Sequence, residues 1–145
     1  SVPDILILVQ PTSPFLLPVH VDSLAQAMIE DVHCRSGQTV TPVPHNFHAW
    51  NQRDFDAGRT RFHFAKERAA AYNKQRKPKL FTFGNLVAAR SAALLDGHDF
   101  FAEPSAALEV PWPYNLDVDT PQDLILAEAL IASHAVDSPL RAAGA

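Results

Sequence analysis

The chain has 145 residues, 47% of them apolar and 19% charged, the make-up of one globular domain or a piece of one. Its net charge of −4 excludes a general pull toward nucleic acid or an anionic membrane, so any anionic ligand has to be held by a local cluster. One cysteine, Cys34, excludes an internal disulfide, and the apolar run 5–9 is far too short to span a bilayer. A soluble, cytoplasmic protein with no nucleic-acid or membrane partner is expected.

Ile5-Leu6-Ile7-Leu8-Val9 is an uninterrupted apolar run, the composition of a central strand buried on both faces of a parallel sheet. The chain opens at Ser1 almost directly on this strand, which leads us to expect a fragment, a processed chain or an engineered start. The run stops at Gln10-Pro11-Thr12-Ser13-Pro14, where two prolines remove donors and fix the turn. From Pro18, Val21, Leu24, Ala25, Met28, Ile29 and Val32 recur at helical spacing, and Thr39–Val43 reads as the next strand. Strand, loop, helix and strand make a βαβ unit, which predicts an α/β fold with a mostly parallel sheet.

The stretch Pro44–Lys79 differs in character. It is rich in His, Asn and aromatics and holds 9 of the 12 Lys and Arg residues. Such an insertion fits an arm over an active site, a dimer contact, or both, and its second half, Phe64–Gln75, has helical composition. Leu80–Ala88 then reads as a strand, Arg90–Leu95 as a short helix ending near Gly97, and Ala106–Val110 as a further strand. Thr120-Pro121-Gln122-Asp123 combines a capping residue, proline at the first helical position and an acid three residues after the cap. A helix from there to about His134 is predicted, followed by a tail over 138–145. The expected organisation is one domain over 1–137, with 44–79 as the insertion.

Several residues can carry chemistry. In an extended segment Asp117 and Asp119 point the same way, and two carboxylates beside a helix start suit Mg2+ carrying phosphates. The alternative is that Asp119 caps the helix and Asp117 is simply solvated. Gln10, Thr12 and Ser13 lie in the loop after the first strand, where open α/β sheets bind ligands; the alternative is an ordinary crossover loop. Phe100 and Phe101 follow a turn and are either core packing or a ligand wall. His45 and His48 have metal-ligand spacing, but no third ligand in the sequence completes a site. Cys34 has no catalytic partner and reads as a small buried hydrophobe.

Three segments in the same order resemble acylneuraminate cytidylyltransferases. They are "DILILVQPTSPF", "KQRKPKLFTFGNLVAARSAALLDGHDFF" and "NLDVDTPQDLILAEALI", the last matching that family's Asp-x-Asp-Thr-Pro helix start. The resemblance is weakest over Pro44–Ala71. It implies a Rossmann-like nucleotidyltransferase fold and transfer of CMP from CTP to a sialic-acid-like 2-keto sugar acid, with release of pyrophosphate. It also implies catalytic, magnesium-holding roles for Asp117 and Asp119, and a homodimer built through the insertion. Gln10, Thr12, Ser13 and Asn85 would contact substrate, Phe100 and Phe101 would line the sugar, and Lys74 would meet its carboxylate.

Two departures accompany the likeness. Gly84-Asn85-Leu86-Val87-Ala88 stands where the family has Asn-Gly-Ala-Ile-Tyr, and Lys74 stands where it often has arginine, which keeps the charge but loses the fork. The family's first strand and Gly-rich phosphate loop have no counterpart among these five unclustered glycines. The 145 residues alone are therefore expected not to turn over CTP. A related sugar nucleotidyltransferase with another sugar or base, and a non-catalytic assembly or binding module, are the alternative readings.

Overall fold

The structure, a computed structural model, describes residues 2–71 and 77–137. The chain divides into two compact units, one made of Ser1–Thr41 with Phe83–Ala145 and the other of Pro42–Thr82. No helix among the described residues is long and apolar enough to cross a membrane.

The first unit is built on a four-stranded sheet. Its strands are β1 (Ile5–Leu8), β2 (Ser36–Pro42), β5 (Phe81–Arg90) and β6 (Ser105–Glu109), in the spatial order β1-β5-β2-β6. β1 pairs antiparallel with β5, with Ile5 opposite Arg90 and Leu8 opposite Val87, while β2 and β6 run parallel. Arg90 N donates to Arg35 O just before β2, whereas Asn85 and Leu86 meet Thr39 further along it. The numbering of the two strands therefore runs in opposite directions, and β5 is the one strand reversed against the other three. The fold is α/β, with a mixed sheet.

β1 departs from expectation. It lies at the end of the sheet and its partner is antiparallel. Ile5 and Ile7 pack against the core, while Leu6 and Leu8 on the other face are 39% and 42% exposed. An apolar run reports that a strand can be covered on both faces, not which neighbour covers it, and here one face receives helix α1 (Pro18–Glu30). Leu24 and Met28 of α1 form the core with Cys34, Leu86 and Ala88. Cys34 is buried, as expected of a small hydrophobe.

Both ends of α1 are tied down by side chains from this unit. At the start, His20 Nδ1 accepts the Leu17 N–H at 3.2 Å, satisfying a donor that the first helical turn leaves unpaired. At the end, Arg90 donates to Met28 O at 2.5 Å and to Asp31 O at 3.2 Å, which places a cation on the carbonyl end of the helix. β2 begins at Ser36, before the predicted Thr39. Its polar opening residues are buried because Ser36 Oγ donates to Ala102 O at 2.7 Å. A short helix α3 (Ser91–Leu95) and the long helix α4 (Pro121–Ala132) complete the unit.

The second unit contains a hairpin that the sequence reading passes over. Strands β3 (Arg53–Asp56) and β4 (Arg59–Phe62) pair antiparallel, with Asp56 opposite Arg59. The loop is Ala57-Gly58, with φ of 46° and 76°, so both residues occupy the left-handed region that two-residue hairpins favour. Helix α2 spans Ala65–Ala70, within the predicted 64–75, of which 72–75 lie outside the described residues. His48 is buried, accepting from Trp50 N through Nδ1 and donating through Nε2 to Pro78 O at 3.0 Å. Both of its ring nitrogens are thus used in holding the unit together.

Candidate functional site

The loop after β1 and the loop before α4 are joined. Ser13 N donates to Gln10 O at 3.2 Å, closing the turn that the prolines prescribe. Thr12 O accepts the Val118 N–H at 2.8 Å, and this bond sets the Gln10–Ser13 turn beside the Asp117–Asp119 segment. Phe15, fully buried, reinforces the junction by sharing a core cluster with Ala127 and Leu130 of α4, against which Tyr114, Leu116 and Val118 of the other loop pack. An aromatic ring filling such a spot contributes about 3–5 kcal/mol relative to alanine. Ser13 is buried, whereas Gln10 and Thr12 are half-buried.

At the start of α4, Thr120 is the capping residue. Its hydroxyl accepts from Asp123 N at 3.3 Å, and Asp123 Oδ2 receives the Thr120 N–H at 2.8 Å and the Asp119 N–H at 3.2 Å. The Thr120 hydroxyl, and after it the Thr120 and Asp119 backbone donors, hold the Asp123 carboxyl below the usual carboxylate range. Asp119 is therefore not the cap. Asp117 and Asp119 are both exposed, and neither carboxylate is spent on a hydrogen bond or ion pair among the described residues. Nearby in the chain, Asn115 Oδ1 is buried without a donor among the described residues, a free acceptor that no sequence pattern announces.

Asn85, expected to contact substrate, lies inside the sheet unit. It is fully buried and all of its amide is engaged, donating to Tyr114 O at 2.9 Å and to His20 Nδ1 at 3.0 Å while Oδ1 accepts from Thr39 Oγ1 at 3.1 Å. One side chain thus ties β5 to β2, to the first turn of α1 and to the loop that ends in Asp117. The preceding Gly84 is required by the same close approach. A Cβ there would lie 2.8 Å from the Thr39 carbonyl carbon and 2.5 Å from its Oγ1. His20 stands edge-on to the Tyr114 ring at 5.4 Å, and its burial pushes its pKa below the ordinary value.

Phe101 is 52% exposed and meets Phe83 of β5 edge-on, with ring centroids 6.1 Å apart; Phe100 is half-buried. Both sit on the turn between α3 and β6, where Phe101 N donates to Asp99 Oδ1 at 2.8 Å. Lys74 lies outside the described residues. Among the predicted residues, then, Thr12 and Asp117–Asp119 are brought together directly, and Asn85 braces them from inside.

No group of three or more His, Cys, Asp or Glu side chains gathers among the described residues. The site thus offers no all-protein metal cage. Two exposed carboxylates instead suit a cation such as magnesium, which keeps waters and takes its remaining ligands from phosphates.

Neither a protein-family model nor a curated protein sequence matches the chain. Solved structures do match. One of them is CMP:2-keto-3-deoxy-manno-octonic acid synthetase complexed with CTP, at a TM-score of 0.59 and 18% identity. The alignment covers 90% of this chain and 63% of the synthetase, so the chain spans less than two thirds of that protein's length. The sheet that joins the two loops accordingly shares the α/β fold of that synthetase.

Proposed function

We propose that the chain belongs to a sugar cytidylyltransferase that transfers CMP from CTP to a sialic-acid-like 2-keto sugar acid. The observation that carries this is the Thr12 O–Val118 N bond, which sets the Gln-Pro-Thr-Ser turn against two unspent carboxylates at the head of α4. The fold shared with a synthetase that was solved with CTP supports it. So do the three motifs, which point to a 2-keto sugar acid as acceptor.

In this reaction a sugar hydroxyl attacks the α-phosphorus of CTP, a P–O bond forms, and the bond to the β-phosphate breaks to release pyrophosphate. Asp117 and Asp119 would hold magnesium. When bound, that ion neutralises the phosphates and the departing pyrophosphate. Gln10 and Thr12 present polar groups from a turn already braced by prolines and by Phe15, so little freedom is lost on binding. The buried link from Asn85 to Tyr114 O and His20 keeps the Asp117 loop from shifting, and misplacement of about 1 Å costs about 10²-fold in rate. The triphosphate cradle of the resembled family is a Gly-rich loop, a type of segment that these residues do not contain.

The test is pyrophosphate release from CTP, with magnesium and a panel of 2-keto sugar acids, by the full product of the gene encoding this chain. Replacing both Asp117 and Asp119 by Asn is expected to lower turnover by about 10³-fold or more, since metal stabilisation of phosphate charge supplies several kcal/mol. Circular dichroism should be unchanged, and magnesium–CTP binding by calorimetry should weaken in parallel. Normal turnover in the double variant would remove the assignment.

A further inference from the structure

The buried contacts around His20 allow one consistent placing of protons. Nδ1 takes the Leu17 backbone N–H at 3.2 Å, so that nitrogen carries a lone pair and no proton. Asn85 must then turn its NH2 toward it, at 3.0 Å, and the rest of the amide agrees. Nδ2 also donates to Tyr114 O at 2.9 Å, and Oδ1 accepts from Thr39 Oγ1 at 3.1 Å. Thr39 Oγ1 already receives the Asn85 and Leu86 N–H groups, at 2.8 and 2.9 Å, which leaves its own proton for that bond. A single NH2 group thus holds two partners at once, the imidazole of α1 and the carbonyl of Tyr114, which begins the segment leading to Asp117.

A proton on Nδ1 breaks this arrangement. It would face two donors, Leu17 N and Asn85 Nδ2, and no acceptor. Two responses are open. If the imidazolium withdraws, Tyr114 loses the ring that stands edge-on to its own at 5.4 Å. If the Asn85 amide turns over instead, Oδ1 satisfies His20 but is set against Tyr114 O, two acceptors with no proton between them. Either way the loop loses a partner. The surroundings supply no charge to soften the change. Asn85 and Thr39 are neutral, and Tyr114 meets the Asp137 carboxylate only through its hydroxyl, at 3.5 Å. The acids of α1, Asp22 and Glu30, line a separate cleft with Gln26. His20 is 7% exposed, and burial lowers its pKa below 6.5, so the folded chain holds it neutral at neutral pH.

We propose that His20 and Asn85 form a proton-operated latch on the loop 114–119, closed while His20 is neutral and opened when it becomes charged. Opening frees Tyr114 O and loosens the Thr12 O–Val118 N bond, which keeps that loop beside the turn after β1. The latch is a property of the fold and stands whether or not the transfer reaction is correct; that its opening switches off a site rests on the function proposed above.

The experiment is an NMR titration of the 145-residue chain from about pH 7.5 to about pH 5, the range in which histidine ordinarily changes charge. It follows the His20 ring, the Asn85 side-chain amide and the Val118 N–H, and needs neither CTP nor turnover. All three signals are expected to move with one midpoint below 6.5, the Val118 N–H toward the position of a water-bonded amide. The Val110 N–H, bonded to Val40 O at 2.9 Å in the same unit, should stay still. In His20→Gln, which cannot take up the charge, the Val118 step should disappear; if that variant fails to fold, the titration of the unaltered chain decides alone. A His20 titration that leaves Val118 unmoved overturns the latch, as does a midpoint at or above 6.5. Equal movement of Val110 also overturns it, since that would be general loosening in acid. If Val118 follows His20 while the Asp117 and Asp119 double variant keeps normal turnover, the latch stands and the assignment of the transfer site falls.

Discussion

The sheet unit and the unit over Pro42–Thr82 use polar side chains in opposite ways. In the first, Ser36, Thr39, Asn85 and His20 are buried, uncharged and bonded to one another or to backbone groups. In the second, Asp54, Arg61, His63, Arg68 and Lys77 are partly or fully open to solvent, and the contacts are ion pairs, stacked guanidinium groups and charged hydrogen bonds. A buried neutral network is demanding about geometry, because each unpaired group would cost about 1–3 kcal/mol. It therefore suits the task of keeping two loops in register. Exposed charges are cheap to rearrange. The comparison teaches that the first unit is held by buried neutral bonds and the second by charged contacts open to water.

The largest effect should come from the apolar brace of the junction. Phe15→Ala removes a fully buried ring from between the Gln10–Ser13 turn, the Asp117 loop and α4, and should destabilise the sheet unit by about 3–5 kcal/mol in urea denaturation. The loss should not depend on salt. A salt-dependent loss, or one below about 1 kcal/mol, would mean that the junction is not held by this core.

The second effect tests whether the buried network is truly neutral. His20 Nδ1 accepts from both Leu17 N and Asn85 Nδ2, so protonating it would set a proton against two donors. Burial lowers its pKa in the folded state below the ordinary 6.5, so the unfolded chain binds the proton more readily. The stability linked to His20 is complete above about pH 6.5 and is lost as pH falls through that value toward the depressed folded one. Unfolding between pH 7 and 5 should show this slope in the wild-type chain and a flatter one in His20→Gln. Identical slopes would place the titration elsewhere.

The smallest effect belongs to the exposed hairpin. His63 first, and then Arg61, hold the Asp54 carboxyl below its usual range, but all three groups face water. Asp54→Asn should change stability only slightly, and the difference should vanish at about 1 M salt, where the screening length falls to about 3 Å. A large, salt-resistant loss would contradict the contrast drawn between the two units.

What the sequence determined by itself was local. The spacing of Leu24 and Met28 marked α1, Thr120-Pro121-Gln122-Asp123 marked the start of α4 with its reciprocal cap, and the prolines marked the turn after β1. Each of these rests on bonds or faces between residues a few positions apart, which composition and periodicity encode directly. The hairpin at Ala57-Gly58 was also local, but charged strands with little apolar alternation hid it.

Tertiary structure decided the rest. It inserted β5 in reverse between β1 and β2, buried Asn85 among Thr39, His20 and Tyr114, joined Thr12 to Val118, and converged Arg68 and Lys77 on Asn51. All of these are pairings between residues far apart in the chain. Their partners are chosen by which surfaces meet once the core has closed, and the local pattern on either side carries no record of that choice.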